Sequence, residues 1–132
     1  DALCVMVGPG FSGELTAERY LACEHVAVTS RRRGICVEDV ALGHLGLARQ
    51  VRQRCQHYLS AALLVAHTPL LLSLPRRYAE LLNAGLGNRL LDMPLALPPV
   101  TLNLYWSVQA EAEPGNCWLR QQVLALAAAP RG

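Results

Sequence analysis

At 132 residues the chain is the length of one domain with a real core, and its 52% hydrophobic content and mean hydropathy of +0.23 are high for a domain in water. No apolar run nears the ~20 residues that cross a bilayer, because Arg, Glu, His or Pro interrupts each one, so no membrane role is expected; the surplus apolar surface instead points to a partner, a second lobe or a twin subunit. The net charge of +2, from twelve arginines, no lysine and ten acidic residues, is too small to argue for nucleic-acid binding by electrostatics.

Ala2 to Val7 is a continuous apolar run closed by Gly8-Pro9-Gly10, the pattern of a buried strand and turn. Thr16 is placed to cap a helix running to about Cys23, with Leu15, Tyr20 and Leu21 for its inner face. His25 to Thr29 predicts a second strand, ended by the turn Ser30 to Gly34, and Val37 to Leu45 predicts a helix with Val37, Val40, Ala41 and Leu45 on one face. Arg49 to Cys55 alternates as a half-exposed strand does, with Val51, Gln53 and Cys55 on one side. Leu59 to Ala66 is a short apolar helix, capped at Ser60 or in the turn His57-Tyr58.

Leu70 to Leu74 predicts an apolar strand closed by Pro75, followed by a helix from Arg76 to Ala84 with Gly85 at its carboxyl cap. Leu90 to Leu97, broken by Pro94 and ended by Pro98-Pro99, is at most an edge strand. Val100 to Val108, rich in β-branched and aromatic residues, is the longest strand candidate. Pro114-Gly115-Asn116 marks a turn, and Cys117 to Ala129 predicts a final helix. Strands alternating with helices predict an α/β fold, a Rossmann-like and mainly parallel sheet flanked by helices. In such sheets ligands sit beyond the carboxyl ends of the strands.

Few residues carry chemistry. Gly8-Pro9-Gly10-Phe11-Ser12-Gly13 formally fits GxGxxG, but Pro9 removes an N–H needed to cradle a pyrophosphate, and no helix starts inside the motif, so no dinucleotide cofactor is expected. The five cysteines (Cys4, Cys23, Cys36, Cys55, Cys117) form no CxxC pair and no zinc spacing with the four histidines. They predict reduced thiols in a cytoplasmic protein, with no disulfide framework and no metal. Cys55 and His57 make a conceivable dyad without a third orienting group, against a buried thiol and a loop histidine as the plainer reading. Glu38-Asp39 and Glu111/Glu113 fit helix-start and loop positions explained by capping or solvation. Arg31-Arg32-Arg33 reads as a solvated turn, because no recognition helix or aromatic interleaving accompanies it. Thr29 and Ser30 after the second strand, His57 and Tyr58 after the third, and Ser60 in the next helix gather polar groups at one edge, suited to a small anion bound non-covalently or simply to capping and turns.

Several segments, in order, resemble the effector-binding region of LysR-type transcriptional regulators, in the branch of nodulation and aromatic-degradation regulators. They are Leu21 to Ser30 (LACEHVAVTS), Leu42 to Arg54 (LGHLGLARQVRQR), Leu70 to Ala79 (LLLSLPRRYA), Leu102 to Trp106, and Pro114 to Arg120 ending in WLR. The departure is Gly10-Phe11-Ser12, where the family commonly has Gly-His-Pro. The resemblance implies a mixed, mainly parallel sheet forming one lobe of a periplasmic-binding-protein-like (type 2) effector domain. Residues 1–108 would form the second lobe between two crossing strands, Ala2 to Val7 and Val100 to Val108, and residues 109–132 would return toward a first lobe. It implies a co-inducer sensor that is not an enzyme and needs no cofactor, with a small aromatic or carboxylate inducer in an interlobe cleft lined by Thr29, Ser30, His57 and Tyr58. The expected partners are a twin subunit, DNA through a helix-turn-helix outside this chain, and RNA polymerase in the full regulator. Two alternatives stay open: a solute-binding lobe of a transport system, which would need a secretion signal upstream and against which the five unpaired cysteines argue, and a small Cys/His α/β enzyme.

Overall fold

A computed structural model describes residues 1–30 and 34–128; Arg31-Arg32-Arg33 and the expected last helical residue, Ala129, lie outside them. The chain divides into two compact units, Asp1–Val100 and Thr101–Gly132. The first unit contains β1 (Leu3–Val7), α1 (Ala17–Ala22), β2 (Glu24–Val28), α2 (Val37–His44), β3 (Gln50–Cys55), α3 (Tyr58–Ala66), β4 (Leu71–Pro75), α4 (Arg76–Leu82) and β5 (Arg89–Asp92). These follow the expected order, with ends shifted by a residue or two, except that β5 stops at Asp92, five residues short of Leu97.

The five strands lie in the order β3-β2-β4-β1-β5. β2 pairs in parallel with β3 and β4, while β1 runs antiparallel to β4 and β5, so four strands share one direction and β1 opposes them. The sheet is therefore mixed and mainly parallel, as expected. The sense of β1 follows from its connection: α1 has six residues, about 9 Å of helix, and the chain enters β2 at the end of the sheet where β1 stops. The run β2-α2-β3-α3-β4 is a true crossover series, and it reverses direction at β2, where α2 leaves toward β3 and α3 returns to β4.

Helices cover both faces, which is why the inner strands read as unbroken apolar runs rather than alternating ones. On one face Cys4, Met6, Val26, Leu72 and Leu74 pack against Ala61, Ala62 and Val65 of α3 and Ala79 of α4. On the other, Val5, Val7 and Leu71 meet Tyr20 of α1 and Leu42 of α2. α1 starts as its sequence dictates: Thr16 is the N-cap, its hydroxyl accepting from Arg19 N at 3.2 Å. Gly8 lets the β1 turn close on α3, since a Cβ there would stand 2.5 Å from the Val65 carbonyl oxygen.

Three expectations are corrected. Val37, Val40 and Leu45 are exposed, and α2 instead turns Glu38, Ala41 and Leu42 inward, because buried Arg49 supplies Glu38 with a charge partner. Val100 to Val108 forms no strand. Asp1 and Val100 exchange two backbone hydrogen bonds of 2.8 Å, a single antiparallel pair, and beyond it residues 101–107 take up no strand structure. Both edges of β1 are already taken by β4 and β5, and β-propensity expresses itself only against a partner. Pro114-Gly115-Asn116 is not a turn but the first turn of α5 (Pro114–Ala128), where Pro is suited because its missing N–H would be unpaired anyway. α5 and a 3-10 turn, Val108–Ala110, make up the second unit, in which Arg120 stacks on Trp106 and donates to Ala110 O and Glu111 O.

Candidate functional site at the carboxyl ends of the parallel strands

Two cavities lined by described residues open on the first unit. The larger, about 500 Å³, lies between the Gly8–Ser12 turn and residues 66–70. Its strongest polar groups are already engaged: the Arg19 guanidinium sits 4.1 Å over the Phe11 ring and donates to Glu14 O at 2.9 Å, and Thr68 Oγ1 donates to Leu64 O at 2.8 Å.

The smaller cavity, about 300 Å³, lies at the carboxyl ends of the parallel strands, beside the reversal at β2. That is where open α/β sheets place their ligands, and the volume is at the low end for a small-molecule pocket. Val28, Thr29 and Ser30 come from the end of β2, Tyr58 from the start of α3, and Pro75 from the end of β4. Ile35, Cys36, Val37 and Glu38 come from the start of α2, and Val100 closes the wall.

Of the residues singled out from the sequence, Thr29, Ser30 and Tyr58 line this cavity together. His57 is the exposed N-cap residue of α3, and Ser60 is exposed on that helix; neither is in the lining. The Tyr58 ring is held edge-on to Tyr78, with centroids 5.3 Å apart at 89°. Burial, with help from the charge of Glu38, pushes the Tyr58 phenol up to about 12, so it stays protonated as a donor. Neither the Tyr58 nor the Ser30 hydroxyl hydrogen-bonds to another described residue.

Sequence reasoning missed Glu38. It is only 6% exposed yet faces the cavity. Burial raises its carboxyl above the ordinary range, opposed by its own backbone N–H and by Arg49. Arg49 approaches it at 3.6 Å but hydrogen-bonds to Asp39, at 2.6 Å. Asp39 also accepts from the Cys36 backbone N–H at 3.3 Å, closing the first turn of α2. Of the two adjacent carboxylates, then, one caps the helix as expected and the other forms a pocket floor. The missed signal is the spacing of Glu38 with Ala41 and Leu42, three and four residues on, which puts the acid on the small apolar face.

β3 ends at Cys55, and burial raises that thiol, away from the thiolate that attack requires. Among the described residues no group of three His, Cys, Asp or Glu side chains is placed to hold a metal, and no helix is long and apolar enough to cross a membrane.

No protein-family model matches the chain. It is similar to the HTH-type transcriptional activators NagR of a Ralstonia species (27% identical, covering 89% of this chain and 39% of the relative) and NahR of Pseudomonas putida (28%, 94% and 41%). It is also similar to nodulation protein D 1 of Rhizobium tropici (31% identical, 88% and 39%). Among solved structures it matches a probable transcriptional regulator from Pseudomonas aeruginosa with a TM-score of 0.82 at 32% identity, over 93% of this chain and 41% of that one. The regulatory domain of the activator MexT from the same organism matches with a TM-score of 0.72 at 22% identity, over 92% and 61%, a likeness of fold alone. The chain thus spans about two fifths of the length of the curated relatives named here.

Proposed function

From a chain whose relatives over most of its length are LysR-type transcriptional regulators, we propose that it is part of the sensing region of such a regulator and binds a small effector non-covalently. The observation that carries this is the cavity at the carboxyl ends of β2 and β4, where the unengaged Ser30 and Tyr58 hydroxyls stand over an apolar wall of Val28, Ile35, Val37 and Val100. An apolar wall with a few convergent polar groups suits a small molecule with an aromatic or aliphatic body and a polar head. The cleft would be completed by residues outside this chain. Effector binding would favour one of two arrangements of the regulator, by the difference in its affinity for them. DNA contact would belong to a helix-turn-helix segment of the full protein. Self-association fits the exposed Trp118, Leu119, Leu124 and Leu126 of α5.

The test is a thermal-shift screen of the full-length protein against small aromatic alcohols, amides and acids, repeated with Ser30→Ala and Tyr58→Phe. A compound that raises Tm in the parent and less in both variants supports the site. Compounds that stabilise all three proteins equally place binding elsewhere.

A further inference from the structure

Resting on the reading of this cavity as the effector site, we propose that it selects an uncharged molecule carrying a hydroxyl or amide donor on an apolar body, seated with that donor on the Glu38 carboxyl, and excludes carboxylates of the same size.

The floor decides this. Glu38 is the one charged side chain in the lining among the described residues. Behind it, Arg49 carries one positive charge against two carboxylates and spends its close contact, 2.6 Å, on Asp39. With both acids ionised the trio is left with one net negative charge, and among the described residues no cation in the lining offsets it. A ligand carboxylate placed there meets the like charge of a carboxyl that is only 6% exposed and so little screened by water. A hydroxyl or amide N–H instead gives Glu38 a hydrogen-bond partner and adds no charge. The remaining polar groups serve either kind of ligand, since Ser30 and Tyr58 both donate and accept, and the walls are apolar. The discrimination therefore falls on Glu38. Sites that hydrogen-bond a ligand hydroxyl reject analogues that cannot supply it more strongly than apolar pockets reject a change of shape.

Benzyl alcohol and benzoate, close in size and opposite in head group, are the probes. Each is titrated into full-length protein at pH 7.5 and followed by the amide resonances of Val28, Ser30 and Tyr58. Benzyl alcohol should bind at least about tenfold more tightly than benzoate. Glu38→Gln, whose amide donates to a carboxylate, should bring the two within about threefold, chiefly by strengthening benzoate. Equal or tighter binding of benzoate by the parent, or a Glu38→Gln variant with the ratio unchanged, overturns the selectivity while leaving the cavity as the site. Failure of both probes to move those resonances overturns the site and the selectivity together. Should Glu38→Gln melt far below the parent, the ratio measured on the parent alone decides.

Discussion

His25 makes the stability of the first unit depend on pH in a direction fixed by its surroundings. The ring is fully buried, packs edge-on against Tyr20 at 4.6 Å, and has Nε2 2.7 Å from the Tyr20 carbonyl oxygen. A carbonyl can only accept, so Nε2 carries the proton, leaving Nδ1 bare and without a partner. A second proton would place a charged N–H on Nδ1 with nothing to receive it. Burial accordingly lowers the imidazole from 6.5 to about 4, Arg49 adding to the effect while the Tyr20 carbonyl and Asp39 oppose it. The unfolded chain takes up its proton near 6.5 and the folded one only near 4. This stabilisation is thus complete above 6.5 and is lost as pH falls toward 4. The gap corresponds to about 3 kcal/mol in all, of which roughly 2 kcal/mol disappears between pH 7.5 and pH 5. Urea denaturation at those two pH values reads the loss, and NMR titration of the imidazole assigns it to His25. A folded-state pKa near 6.5, or unfolding free energies equal at the two pH values in protein whose His25 does titrate low, would refute the reasoning.

Gly8→Ala forces a methyl against the Val65 carbonyl, an overpacking cost of about 1–3 kcal/mol that should lower Tm by roughly 5–20 °C. Gly10→Ala, with open space around the added carbon, is the control, and equal melting of the two variants would contradict the packing. Arg49→Met strips the charge partner from Glu38 and Asp39 and should cost about 3–5 kcal/mol. Adding Glu38→Gln should recover part of it by calorimetry; no recovery would mean that the pairing is not what Arg49 supplies. Cys4, fully buried with its thiol pushed up to about 11 by burial, should resist maleimide labelling in native protein at pH 7 while half-buried Cys117 reacts. Mass-spectrometric mapping checks the order, and fast modification of Cys4 would show that β1 opens readily.

Most of the fold was legible because each element announces itself locally. The unbroken run Leu3–Val7 needs two covering layers, and it has them. Thr16 and Pro75 mark a helix start and a strand end by chemistry that acts within a few residues. What failed depends on distant partners. The sequence of residues 100–108 favours a strand, but propensity does not say whether an edge is free, and β1 has none. The inward face of α2 was misplaced because an apolar count favours Val37 and Val40, whereas Arg49, ten residues beyond Asp39, draws the acids in. Thr29, Ser30 and Tyr58 come together at one cavity because the ends of parallel strands converge in any sheet of this kind. His57 and Ser60 lie on the same connection but turn outward, a difference of one rotation along the chain that no spacing encodes.

The polar groups inside the first unit form a series rather than scattered exceptions. Glu38 at the cavity floor meets Arg49, Arg49 holds Asp39, and the field of Arg49 reaches both Tyr20 and His25. The Tyr20 hydroxyl is 2.7 Å from Ser73 in the middle of β4. These residues come from α1, β2, α2, the approach to β3, and β4, so the series crosses the sheet face on which α1 and α2 pack. In a low-dielectric interior each member feels the charge of its neighbours strongly, and Nδ1 of His25 and Nη1 of Arg49 are left without partners within it. A change of charge at Glu38 is therefore felt at Arg49 and Tyr20, whereas His25 answers to Arg49 and Asp39. An uncharged ligand leaves these charges as they stand, whereas a carboxylate would add a like charge beside Glu38. The same buried series that fixes how α1 and α2 sit on the sheet thus also argues for a neutral molecule in the cavity.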